Sequence, residues 1–127
     1  MGAESNKDNL ILDLSFKFAV SIIEYCTKLD QSRKYELSRQ LFKAGTSIGA
    51  NAMEAQHAES KNDFIHKIKI SSKEAGEAKY WLLLCQSCQA VPPPEKLLFQ
   101  IEEIIRVLGA IISTTKRKYV VPTVYKL

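Results

Sequence analysis

The sequence is poor in residues that break helices. Proline occurs four times, at Pro92, Pro93, Pro94 and Pro122, so the first 91 positions contain none. After Gly2 the glycines (Gly45, Gly49, Gly76 and Gly109) stand singly, with no Asn-Gly or Asp-Gly pair. A β-sandwich or βαβ domain of this size needs many tight turns, and tight turns need such residues. No apolar run approaches the roughly 18 residues of a membrane span, and Ile104–Ile112 is interrupted and too short. Cysteine is scarce and odd in number (Cys26, Cys85, Cys88), and the polar start MGAESNKDN has no signal-peptide pattern. Reduced thiols and a cytoplasmic location follow as expectations. What is left is a chain of 127 residues, 46% hydrophobic and 25% charged. That is enough to bury one core and too little for two ordinary domains.

A surplus of one charge is also missing from most of the chain. The net charge is +4, and Lys116, Arg117, Lys118 and Lys126 are the only charged residues after position 115. The body therefore sums to zero, which assigns the basic character to the last twelve residues.

What is present is helical periodicity. Ile11, Leu14, Phe18, Ile22, Tyr25 and Leu29 recur at three- and four-residue steps within a segment of about Leu10–Leu29, which Asp8 or Asn9 would cap. A second segment, about Lys34–His57, carries Leu37, Leu41, Ala44, Ile48, Ala52 and Ala55. Its middle is nearly all small, and two mid-helix glycines cost roughly 1 kcal/mol each. Close approach of another helix at Gly45 and Gly49, four residues apart, is the expected compensation. Ser47 and Asn51, with Thr46, read as polar devices fixing helix register.

The third segment, about Lys61–Gln89, opens on Ser60-Lys61-Asn62-Asp63, a capping-box variant. Phe64, Ile68, Ala75, Leu82 and Gln86 or Cys85 trace its inner face, widened by Ile65, Trp81 and Leu83. Pro92–Pro94 ends it, and Pro94 suits the first turn of a fourth segment closing near Thr115. That segment has a broad stripe from Leu97 to Ile112. The expected architecture is all-α: residues 1–9 disordered, 10–115 an antiparallel up-down-up-down four-helix bundle, and 116–127 a basic, extended C-terminal tail.

The run from Arg39 to Ala55, with its Thr46-Ser47-Ile48-Gly49-Ala50-Asn51 core, resembles a known signature, as do Ala58–Lys67 and Lys73–Leu82 with Trp81. Together they resemble the bacterial four-helix-bundle family named for proteins encoded in intervening sequences of large-subunit ribosomal RNA genes. That family also includes the accessory variability determinant of diversity-generating retroelements. The resemblance covers about Leu10–Thr115 and implies a homopentamer. For the retroelement member it implies binding to a reverse transcriptase and to RNA or DNA through a basic surface. This chain departs from that type in its charge-neutral body.

Candidate sites follow. Arg39, Lys43, Lys67, Lys69 and Lys73, with Lys116, Arg117 and Lys118, are the candidate contacts to nucleic acid or a protein partner. Glu74 and Glu77 are interleaved among them, as on an ordinary solvated face. Gly45, Ser47, Gly49, Asn51 and Trp81 are candidates for helix packing or subunit contact, and Tyr80 with Trp81 for stacking on bases. Glu54-x-x-His57 and Asp63-x-x-His66 have the spacing by which one helical face holds a metal, with Glu24 and Glu102 or Glu103 as partner ligands. Cys85-x-x-Cys88 lies near a helix C-terminus, where the dipole disfavours thiolate, so it reads as a buried pair. No Ser/His/Asp set, phosphate loop or zinc spacing is present, and neither a catalytic residue nor a cofactor is expected. The leading expectation is a non-enzymatic, oligomeric interaction bundle; the alternative is a metal-binding carboxylate/histidine bundle.

Overall fold

The computed structural model describes residues 6–119, with side chains described from 10 to 117. Within them the chain forms four helices: α1 (Asn6–Gln31), α2 (Tyr35–Ala55), α3 (Lys61–Ser87) and α4 (Glu95–Tyr119). At 1.5 Å per residue these are rods of about 30 to 40 Å. Their connections are too short to run back along such lengths, so sequence neighbours lie antiparallel. Contacts confirm the ring: α1 packs on α2, α2 on α3, α3 on α4 and α4 on α1.

The helix ends carry the local logic. At the close of α1, Lys34 N–H bonds Leu29 C=O and Arg33 N–H bonds Asp30 C=O, both at 2.9 Å. This is the Schellman pattern, and Arg33 holds its left-handed position at φ 61° where glycine is usual. Ser60 caps α3 by accepting from Asp63 N–H at 3.0 Å, while the Asp63 carboxylate accepts from Glu59 N–H at 3.3 Å. Pro94 C=O takes the first bond of α4, from Leu98 N–H.

Two sequence-based boundaries shift. Helix α1 starts at Asn6, so residues 6–9 are helical and Asp8 and Asn9 lie inside the first turn rather than capping it. Helix α4 runs on to Tyr119, so Lys116, Arg117 and Lys118 end a helix instead of starting an extended tail. Lysine and arginine are good helix formers and suit a helix C-terminus, so nothing stops α4 earlier. The expected arm from Val120 onward lies outside the described residues.

The expected stripes line the core, with Ile11, Phe18, Ile22, Leu29, Leu41, Ile48, Ile68, Leu82, Ile101, Ile104 and Leu108 fully buried. On α3 the inner face takes Cys85 rather than Gln86, while Leu83 points outward. Ser71 and Ala78 are buried there as well. Helix α2 is approached closely from two sides. A Cβ added to Gly45 would lie 2.8 Å from Ile22 Cγ1, and one on Gly49 3.1 Å from Ser15 Oγ. On the other side Ser71 donates to Ile48 C=O at 2.7 Å.

Candidate interaction surfaces

The outer groove between α1 and α2 is open, mixed in character at its loop end and mainly apolar toward the start of α1. One cleft of about 390 Å³ is lined by Ile23, Cys26, Tyr35, Ser38 and Phe42, with Asp30, Arg39 and Lys43 among its polar groups. A second, of about 280 Å³, continues the same groove between Leu12, Phe16, Ala19, Gly49, Ala50 and Met53. Phe16 is 70% exposed and Met53 55%.

The floor at the loop end of the groove is fastened by a reciprocal pair. Cys26 Sγ donates to Ser38 C=O at 3.4 Å, and Ser38 Oγ donates to Cys26 C=O at 3.3 Å. Burial pushes the Cys26 thiol up to about 11 and raises Cys85 too. Tyr25 donates to Pro92 C=O at 2.5 Å, tying α1 to the proline linker, and burial raises its phenol well above the ordinary range. All three cysteines are free thiols, two buried and Cys88 half-buried.

The expected basic set does not form one patch. Arg39 is held by Glu36 at 2.5 Å and, with Lys43, lines the α1/α2 groove. That ion pair holds the Glu36 carboxyl below its ordinary value. Lys67 reaches across to Glu54 at 2.9 Å, an ion pair spanning α3 and α2. Lys69 and Lys116 meet across α3 and α4, and the neighbouring ammonium of Lys69 holds Lys116 below the ordinary lysine value. Lys73 and Arg117 are exposed, and the side chain of Lys118 lies outside the described residues.

The four residues of the two metal-type motifs are drawn into other work. Glu54 pairs with Lys67, Asp63 caps the start of α3, and His57 and His66 are exposed. Glu102 pairs with Lys79 at 2.6 Å, which places it about 24 Å of helix away from Asp63. Glu24 lies by Pro93 and Pro94, at the opposite end of the bundle. Among the described residues no three His, Cys, Asp or Glu side chains gather as a metal site.

The small polar residues of α2 also behave differently from expectation. Ser47 donates to Lys43 C=O at 2.6 Å and Asn51 to Ser47 C=O at 2.8 Å, so both bond back onto their own helix. The hydroxyl that crosses to another helix is Ser71, whose signal was a polar residue on the apolar stripe of α3. Trp81 is half-buried against the core and stands edge-on to Tyr80, ring centroids 5.3 Å apart. No described helix is long and apolar enough to cross a membrane.

The chain matches the family model described as 23S rRNA-intervening sequence protein over residues 7–110. It is also similar to a protein of unknown function from the S23 ribosomal protein family of Bacteroides thetaiotaomicron, known from a crystal structure at 1.70 Å resolution. The two are 39% identical with a TM-score of 0.80, over 84% of this chain and 98% of that one. A comparison with curated proteins gives no match. The family match takes in α1, α2, α3 and most of α4, and the chain belongs to the 23S rRNA-intervening sequence protein family.

Proposed function

We propose that the protein is a non-enzymatic interaction bundle that assembles with copies of itself through the outer α1/α2 groove. The observation that carries this is the groove's run of exposed apolar side chains, from Phe16 and Met53 past Ile23 and Phe42 to Tyr35. Monomeric proteins rarely leave so continuous an apolar surface in water, and such surfaces usually mark contact sites. The family resemblance implies a homopentamer, and that is the assembly proposed. Native mass spectrometry at micromolar protein tests it: a stable multimer is expected, and a monomer at that concentration overturns it.

A second reading, contact with RNA or DNA, is favoured by the Lys69–Lys116 juxtaposition. The ion pairs of Lys17, Arg39, Lys67 and Lys79 give those cations carboxylate partners, whereas these two ammoniums face each other. A phosphodiester backbone supplies the anion such a pair lacks. Binding is then expected to fall steeply with salt, and to weaken when Lys116, Arg117 and Lys118 are neutralised.

A further inference from the structure

The outer face of α3 and α4 carries more than the lysine pair. Lys69, Lys73 and Tyr80 are exposed and follow one another along α3 at helical spacing. On α4 the corresponding face runs through Phe99, Arg106, Gly109 and Lys116, all exposed. The two faces are brought side by side by the Lys79–Glu102 ion pair at one level and by Lys69 against Lys116 at another. Arg106 is one helical turn on from Glu102, whose own charge is taken up by Lys79.

Three properties coincide on this face. Lys69, Lys73 and Lys116 lie toward the C-terminal end of α4, and Arg106 stands about 15 Å back along it. Its middle is open, because a Cβ on either Gly76 or Gly109 would meet nothing within 4 Å. Its other end presents two aromatic rings to solvent, Phe99 at 71% exposure and Tyr80 at 55%. The span from Lys69 to Tyr80 is about 16 Å along α3.

From this we infer that the α3/α4 face is a track for single-stranded nucleic acid, with phosphates on Lys69, Lys116 and Arg106 and unstacked bases on Tyr80 and Phe99. The inference rests on the nucleic-acid reading above and narrows it to a face and a class of strand. A cationic track beside sequence-tolerant stacking platforms is the chemistry of single-strand binding. A duplex keeps its base faces stacked, so it would use the lysines and leave both rings idle.

Fluorescence anisotropy of the full chain with labelled, unstructured RNA and DNA strands of about 20 nucleotides, and with the matching duplexes, tests this at about 50 mM and 200 mM salt. Tighter binding of single strands is expected for both sugars. Phe99→Ala and Tyr80→Ala should each weaken single-strand binding between about fivefold and a hundredfold. Lys69→Gln with Lys116→Gln should lower the slope of log affinity against log salt by about 1.4. Lys28→Gln, on α1, should leave both unchanged. Equal binding of duplex and single strand, with no effect of the aromatic variants, overturns the single-strand inference and leaves the broader reading standing. No binding of any probe at low salt removes both. If Phe99→Ala changes the assembly seen by size-exclusion chromatography while affinity holds, the rings are a subunit contact and the inference fails.

Discussion

Gly45 and Gly109 both sit inside long helices, with opposite physical consequences. Gly45 faces the buried, β-branched Ile22, which has little room to yield to a methyl 2.8 Å away. Gly45→Ala gains up to about 1 kcal/mol of helix propensity but overpacks this contact by about 1–3 kcal/mol, so a lower urea midpoint is expected. Gly109→Ala meets only open space and should raise the midpoint, by about 1 kcal/mol. Two midpoints moving in the same direction would contradict the difference in packing. Arg33 is the third such position: Arg33→Gly relieves a left-handed backbone and should stabilise by about 1 kcal/mol. Of these effects only the small-residue spacing of Gly45 and Gly49 showed in the sequence. A glycine with a tight neighbour and one with none are written with the same letter.

Among the elements, burial of the Cys26 thiol between α1 and α2 makes stability depend on pH, and the bond to Ser38 offsets part of that effect. The folded state holds the Cys26 thiol at about 11 against an ordinary 9.0. A raised value means that the unfolded chain loses its proton first as pH rises. The stabilisation is therefore complete below about 9 and is lost as pH climbs through about 11. Melting temperature should fall between pH 8.5 and 10.5, and Cys26→Ala should flatten that fall; an unchanged slope in the variant would assign it to other groups. At the start of α3, Ser60→Ala should cost about 1 kcal/mol in chemical denaturation, since its hydroxyl answers an otherwise unpaired Asp63 N–H. That cap was legible because a serine, a three-residue step and an acid form a local pattern. The ends of α1 and α4 were not, because a polar stretch without breakers is compatible with either helix or coil. Residues from Asn6 onward simply continue α1, and Lys116-Arg117-Lys118 continues α4. The Cys26–Ser38 clasp was hidden for a different reason. It depends on how the α1–α2 turn aligns two helices, not on either helix alone.

For the whole molecule, the periodicity of apolar residues determined four helices, and their short connections determined the antiparallel ring. The surfaces were less legible. Net charge located the basic surplus in the final residues, yet folding sets Lys69 of the neutral body against Lys116, with Lys73 one turn further along α3. That placement follows from which helices are neighbours and in what register. The same holds for the α1/α2 groove: Phe16, Phe42 and Met53 look like ordinary members of amphipathic helices until the ring leaves them facing water. The metal motifs show the converse: their spacing is right in the sequence, yet α2 ends at Ala55, before His57, and Glu24 and Glu102 stand too far along the bundle to join them.

If copies assemble through the α1/α2 groove, sedimentation velocity on the full chain and on Phe16→Glu with Met53→Glu will separate the two proteins. Both side chains are mostly exposed, so helical content by circular dichroism should be retained. The unaltered protein should sediment as a single multimer and the double variant as a folded monomer. A variant that keeps the multimer, or an unaltered protein that is monomeric at micromolar concentration, contradicts the claim.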